Sequence, residues 1–241
     1  MKIDNKIMIA LVHVLCAAIA IFAYLNVKDM EKELKDTDAI KFKEEYEAIN
    51  EEENSIKMEI SEDNPIEYAD YDKLLEIINN GTGIIYLGFP GCPWCRNALP
   101  VLFDVAKDNN VEIIYYMNIL NERDSFVVED KKLVYAIDDE GNEKRGTKGY
   151  KQLLKALDKH LTEYIVSFEG KEYKTGEKRI YAPTVIFVKD GKVVGLHVST
   201  VESQENPREG LSKKQYKELY EIYEDYILET LSGTCSIGTS C

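Results

Sequence analysis

Cys92 and Cys95 enclose Pro93 and Trp94, and two thiols three positions apart can close and reopen a small disulfide. At the first turn of a helix, the leading Cys92 lies near unsatisfied N–H groups and the positive end of the macrodipole. Both favour thiolate, the attacking species in exchange. Pro93 suits the first helical position, where a missing N–H has no partner to lose. Cys95, one turn on and more shielded, is positioned to attack a mixed disulfide and release the substrate. Arg96 adds positive potential nearby or points to solvent. A lone Cys-x-x-Cys is also half of a zinc site, but no second pair accompanies it and the three histidines are dispersed at 13, 160 and 197. A structural disulfide is the remaining reading, though this spacing strains the bond and makes it labile.

The context of the pair favours redox chemistry. Ile84 to Phe89 is an almost unbroken apolar run, expected as a buried strand; Pro90-Gly91 ends it and the cysteines follow at once. Ala98, Leu99, Val101, Leu102 and Val105 carry a helical stripe up to Asn109-Asn110, and Val111 to Met117 is the next strand. Upstream, Ile56, Met58 and Ile60 alternate as a short strand, and Asp70 caps a helix that Gly81 stops. Leu133 to Tyr135 is a short strand before a turn, and Tyr150 to Leu161 an amphipathic helix. Ala182-Pro183-Thr184 opens another apolar run, and Lys189-Asp190-Gly191-Lys192 joins it to Val193–Leu196 as a hairpin. Ser212 and Gln215 form a capping box before a Tyr-rich last helix ending at Gly233. Strands alternating with helices predict an α/β domain with at least partly parallel strands.

Together, Ile84–Phe89, Cys92–Cys95, the helix after them, Ala182-Pro183-Thr184 and the 189–192 turn resemble the thioredoxin family. The resemblance covers roughly 56–231. It implies a thioredoxin-like fold, a central mixed sheet flanked by helices. It also implies that Pro183 is a cis-proline packed against the Cys pair, with Ala182 and Thr184 offering backbone groups to a bound substrate segment. More narrowly, a membrane anchor joined to such a domain resembles the bacterial proteins described as bacteriocin transport accessory proteins. Three departures stand out. Cys92 and Pro183 are far apart for the family, so an insertion lies at about 118–181. The strand before the motif lacks the family's buried Asp, so the proton of the second thiol must go to water or another residue. Pro-Trp between the cysteines is nearer the glutaredoxin Pro-Tyr, yet the glycine-rich glutathione pattern is missing.

The chain of 241 residues carries a net charge of −14, which argues against nucleic acid or anionic lipid headgroups as partners. Most of that charge lies in 26–64. Ahead of it, Ile7 to Leu25 has no formal charge and only His13 as interruption, and about 20 apolar residues span a bilayer as a helix. With Lys2 and Lys6 before it, this run is expected to be a transmembrane anchor, N-terminus cytoplasmic and the domain extracytoplasmic in an oxidising compartment. A cleaved signal peptide and secretion is the alternative. The expected organisation is a cytoplasmic segment 1–6, anchor 7–25, acidic stalk or linker 26–55, domain 56–232 and a tail 233–241. Cys16 falls in the anchor. In the tail, Cys235 and Cys241 form a local disulfide, shuttle electrons to the central pair, or bind a metal with it. The expected activity is thiol–disulfide exchange on protein substrates, with an unidentified redox partner and no cofactor. A non-enzymatic accessory protein of a membrane exporter and a metal chaperone are the alternatives.

Overall fold

A computed structural model describes residues 5–52 and 56–233. In chain order the elements are α1 (Asn5–Glu47), β1 (Ile66–Tyr68), α2 (Tyr71–Asn80), β2 (Gly83–Gly88), α3 (Pro93–Asp108), β3 (Ile114–Asn118), β4 (Phe126–Glu129) and β5 (Lys132–Tyr135). They continue with α4 (Lys148–Ala156), β6 (Glu163–Phe168), β7 (Lys171–Lys178), β8 (Thr184–Lys189), β9 (Lys192–Val198) and α5 (Lys213–Leu231).

Five strands form the central sheet in the order β1-β3-β2-β8-β9. β2 runs parallel to β3, with Ile84 opposite Ile114, and antiparallel to β8, with Leu87 opposite Thr184. The sheet is therefore mixed, and helices flank it. Side chains alternate across a strand, so β2 feeds two cores. Ile84 and Tyr86 face one, with α3, α5 and the end of α1. Ile85 and Leu87 face the other, with α2 and α4. A strand buried on both faces reads as a continuous apolar run, which is what 84–89 shows.

Local chemistry explains the element ends. The Asp70 carboxylate accepts from Lys73 N at 2.8 Å and caps α2. Ser212 and Gln215 form the reciprocal box at the start of α5. The β8–β9 turn holds Asp190 and Gly191 at φ 49° and 70°, the left-handed pair of a tight hairpin. A Cβ on Gly191 would come within 2.3 Å of Asn79 O, so the turn lies directly against the end of α2. Between β3 and β8, two separate hairpins, β4–β5 and β6–β7, bracket α4. Phe126 and Tyr164 join them edge to face at 5.7 Å.

The expected strand at 56–60 is not one. Met58 and Ile60 are buried as the alternation requires, but the backbone pairs with side chains of the first helix and the turn after it. Asn50 exchanges two hydrogen bonds with Met58, at 2.8 and 2.9 Å. The Glu47 carboxylate accepts from Ile60 N at 2.7 Å, and Lys43 Nζ donates to Ile60 O at 2.9 Å. Segment 37–47 is thus part of the packing: Ala39, Phe42 and Tyr46 are buried, with Phe42 stacked on Tyr46 at 4.3 Å and edge-on to Tyr116 at 4.8 Å. The folded core begins well before residue 56.

The membrane expectation is corrected. Among the described residues no helix is long and apolar enough to cross a membrane. The apolar run 7–25 is not a separate spanning element but the leading part of α1, 43 residues long, which continues through charged sequence and ends in the core. With the anchor go the transmembrane helix placed before the fold, attachment to a membrane through 7–25, and the assignment of a cytoplasmic N-terminus and an extracytoplasmic domain. The signal-anchor label and the secreted alternative rested on the same run.

Candidate active site

α3 begins at the Cys pair. Cys92 is its N-cap, in extended conformation, and Pro93 occupies the first turn. The Cys95 N–H donates to Cys92 Sγ at 3.4 Å, so the cap is itself a sulfur. Both thiols are free. They differ in depth: Cys92 retains 5 % of its surface and Cys95 none. Their proton affinities diverge accordingly. Cys92 is held below the ordinary thiol range, first by the Cys95 thiol donating to it, then by the N–H groups of Cys95 and Trp94 and by the Arg123 guanidinium, all against the cost of burial. Cys95 is pushed well up, by burial first and then by the charge on Cys92. Of the two, Cys92 is the thiol that gives up its proton more readily and Cys95 the one that holds it.

The other anticipated residues lie as follows. The Ala182–Pro183 peptide is cis. Ala182 O accepts from Cys92 Sγ at 3.2 Å, across 90 residues of chain. Thr184 is fully buried in β8, and its hydroxyl donates to Tyr181 O at 2.7 Å. Trp94 is half-buried and lines a cleft of about 550 Å³ with residues of the β9–α5 side, among them Ser199, Thr200, Glu202, Glu218 and Ile222. Arg96 points away from the thiols. It is 2 % exposed and donates to Ile56 O at 2.5 Å, Tyr46 O at 2.7 Å, Asn50 Oδ1 at 2.5 Å and Pro90 O at 3.4 Å. Its function is to staple α1 and the following segment onto α3. Cys235 and Cys241 lie outside the described residues, and Cys16 is exposed on α1. Among the described residues no group of three or more His, Cys, Asp or Glu side chains is assembled to hold a metal.

Two sets of residues at the site carry no sequence signal. Arg123, in the irregular stretch after β3, lies over the Phe89 ring at 5.1 Å, and its charge reaches both thiols. Beside it are Asp124, whose carboxyl is raised by burial, and Arg179, stacked 4.0 Å over Tyr164. Arg123 Nε, Asp124 Oδ1 and Arg179 Nη1 are buried and make no hydrogen bond within the protein. The second set surrounds Cys95 from four elements: Tyr86 on β2, Tyr46 on α1, Tyr116 on β3 and Tyr223 on α5. Burial raises all four, and each feels the charge of Cys95. Tyr46 and Tyr86 share a hydrogen bond at 2.8 Å, 40 residues apart in sequence, and no local pattern could have paired them.

No protein-family model matches the chain, and no curated protein matches it. The expected membership of the thioredoxin family, and the likeness to bacteriocin transport accessory proteins, is corrected on that ground. Its basis was the Cys92–Cys95 motif with the strand and helix beside it, Ala182-Pro183-Thr184 and the 189–192 turn, interrupted by about sixty residues of unrelated pattern and joined to an anchor for which the described residues show no spanning helix.

Proposed function

We propose that this chain is a thiol–disulfide oxidoreductase that acts on protein thiols and disulfides through the Cys92/Cys95 couple. The observation that carries the reading is the asymmetry of the pair: Cys92, its pKa lowered, caps the N-terminus of α3, and Cys95, fully enclosed with its pKa raised, lies one turn below. Exchange needs both states together. In the reducing direction, the Cys92 thiolate attacks one sulfur of a substrate disulfide. That bond breaks, a mixed disulfide forms, and the departing substrate thiolate takes a proton. Cys95 then loses its proton and attacks Cys92 Sγ. The second substrate sulfur leaves as a thiolate and is protonated, and the enzyme ends with a Cys92–Cys95 disulfide. Two electrons have passed to the substrate; the reverse sequence oxidises a substrate dithiol. Ala182 O beside Cys92, and the cleft at Trp94, are where a substrate segment would lie.

Trp94 is the only tryptophan, so its fluorescence reports this site alone. With Cys16, Cys235 and Cys241 changed to Ser, titration against dithiol–disulfide buffers should give a single two-electron transition, and its potential assigns the direction of transfer. Cys95→Ala should accumulate mixed disulfides with protein substrates, and Cys92→Ala should not. A flat fluorescence response, or equal trapping by the two variants, refutes the proposal.

A further inference from the structure

The redox reading leaves one step without chemistry. Cys95 must become a thiolate inside a core that holds its pKa well above the ordinary range, and no carboxylate lies in the strand beneath it. We propose that Tyr86, oriented by Tyr46, is the catalytic hydrogen-bond donor to Cys95 Sγ as it attacks the mixed disulfide. This rests on the exchange reading above and adds two residues to it.

The geometry converges on Gly88. A Cβ there would lie 2.3 Å from Tyr86 Oη and 3.0 Å from Cys95 Sγ, so hydroxyl and sulfur crowd the same point and only a glycine leaves them room. Tyr86 is fully buried, and its hydroxyl lies 2.8 Å from Tyr46 Oη. With Tyr46 donating to Tyr86, the Tyr86 proton is directed to the sulfur. The Tyr46 backbone is fixed in turn by Arg96 Nη1 at 2.7 Å on its carbonyl. A hydrogen bond from Tyr86 is also the side-chain influence that lowers the Cys95 pKa, opposing burial and Cys92. The other titratable groups facing Cys95 are Cys92 on α3, Tyr116 on β3, Tyr223 on α5 and Arg123 from the segment after β3. Burial keeps Tyr116 and Tyr223 neutral; the Tyr223 hydroxyl makes no hydrogen bond within the protein, and the Tyr116 hydroxyl interacts by hydrogen bonding with Tyr46 rather than with Cys95.

Burial raises the Tyr86 pKa and makes the hydroxyl a weaker acid, so Tyr86 keeps its proton throughout. The Cys95 proton passes to the departing substrate thiolate, directly or through solvent. Tyr86 stabilises the negative charge while it sits on Cys95 Sγ, a preorganised donor aimed at charge that develops in the transition state.

The test uses the full chain with Cys16, Cys235 and Cys241 changed to Ser. Dipyridyl disulfide reacts with Cys92 and releases one pyridinethione; Cys95 then displaces the second, and stopped-flow absorbance separates the two. In Tyr86→Phe the ratio of second to first release rate should fall about tenfold, the scale of one hydrogen bond to a charged sulfur. The apparent pKa of the second release should move upward, so that alkaline pH restores part of the rate. Tyr46→Phe should give a smaller loss in the same direction, and it serves as the second variant should Tyr86→Phe fold poorly. An unchanged ratio and pH profile in both variants overturns the proposal for Tyr86. Failure of the unmodified pair to form a mixed disulfide at Cys92 instead overturns the exchange reading, leaving a result that the two Tyr variants do not share.

Discussion

Arg96→Met tests the account of the site's foundation. Arg96 is almost wholly buried; the Glu52 carboxylate acts on its charge from a distance, and its guanidinium donates to Ile56 O, Tyr46 O and Asn50 Oδ1 at 2.5–2.7 Å. Methionine approximates the length of the stem and removes every donor. Two carbonyls, Ile56 O and Tyr46 O, then lose their donor, at about 1–3 kcal/mol each for an unsatisfied group, while Asn50 Oδ1 keeps the Met58 N–H. Removal of a buried charge offsets part of this. A net loss of about 3 kcal/mol is expected. A chain of this size loses roughly 2–4 °C in Tm per kcal/mol, so the melting temperature should fall by about 6–12 °C. Urea unfolding followed by circular dichroism gives the free energy, and thermal unfolding of the same samples gives the shift. Arg96→Lys should recover less than half, because an ammonium cannot serve three acceptors spread around a planar fork. A Met variant within about 0.5 kcal/mol of the parent, the range of an ordinary surface change, refutes the idea that Arg96 ties α1 to α3.

The thiol pair should titrate unequally: thiolate absorbance and alkylation against pH should show Cys92 reacting first, below the ordinary thiol range, and Arg123→Gln should raise its pKa; equal reactivity of Cys92 and Cys95 contradicts this. Gly88→Ala forces a methyl between Tyr86 Oη and Cys95 Sγ and should destabilise the fold by about 1–3 kcal/mol, read from the urea midpoint. His197 is half-buried, with Nε2 donating to Thr200 O at 2.7 Å, and desolvation holds its folded pKa below the unfolded value. The unfolded state therefore binds the proton first, and stability is lost as pH falls below about 6.5; His197→Gln should flatten that part of the pH–stability curve. A chain starting at residue 56 loses Ala39, Phe42 and Tyr46, at about 1.5–3 kcal/mol for each large side chain, and should unfold at far lower urea than one starting at residue 37.

What could be read from sequence was what is local. β2, the turn at Pro90-Gly91, the cysteines and α3 follow one another within 26 residues, and each announces itself by apolar run, breaker, motif or stripe. The β8–β9 hairpin is legible through Asp190-Gly191, and the start of α5 through its capping box. Where partners are distant, the reading stops. Residues 56–60 alternate like a strand because one side is buried, but alternation does not reveal whether the backbone pairs with a strand or with Glu47 and Asn50. The charged stretch after the apolar run read as a solvated stalk, since Ala39, Phe42 and Tyr46 are sparse among Lys and Glu. A narrow stripe is enough when it meets aromatic neighbours such as Tyr116 and Phe103. Arg123 lies in an irregular stretch with no periodicity to mark it.

The two thiols differ first through burial and through each other, and parts of the chain outside the motif adjust that difference. Cys92 is tuned from the front by Arg123 in the stretch after β3. Cys95 is tuned from behind, by Tyr86 and through it by Tyr46 of α1. These influences act on different states. A charge that stabilises the Cys92 thiolate favours the reduced pair and makes the disulfide a stronger oxidant. A donor to Cys95 counts mainly while that sulfur is attacking, and so sets a rate more than an equilibrium. Substitutions at Arg123 should therefore move the potential, and substitutions at Tyr86 or Tyr46 the rate of substrate release, with little crossover between them. If both kinds of change shifted potential and rate together, the front and back of the site would be one coupled network, and the division of labour argued from their geometry would fail.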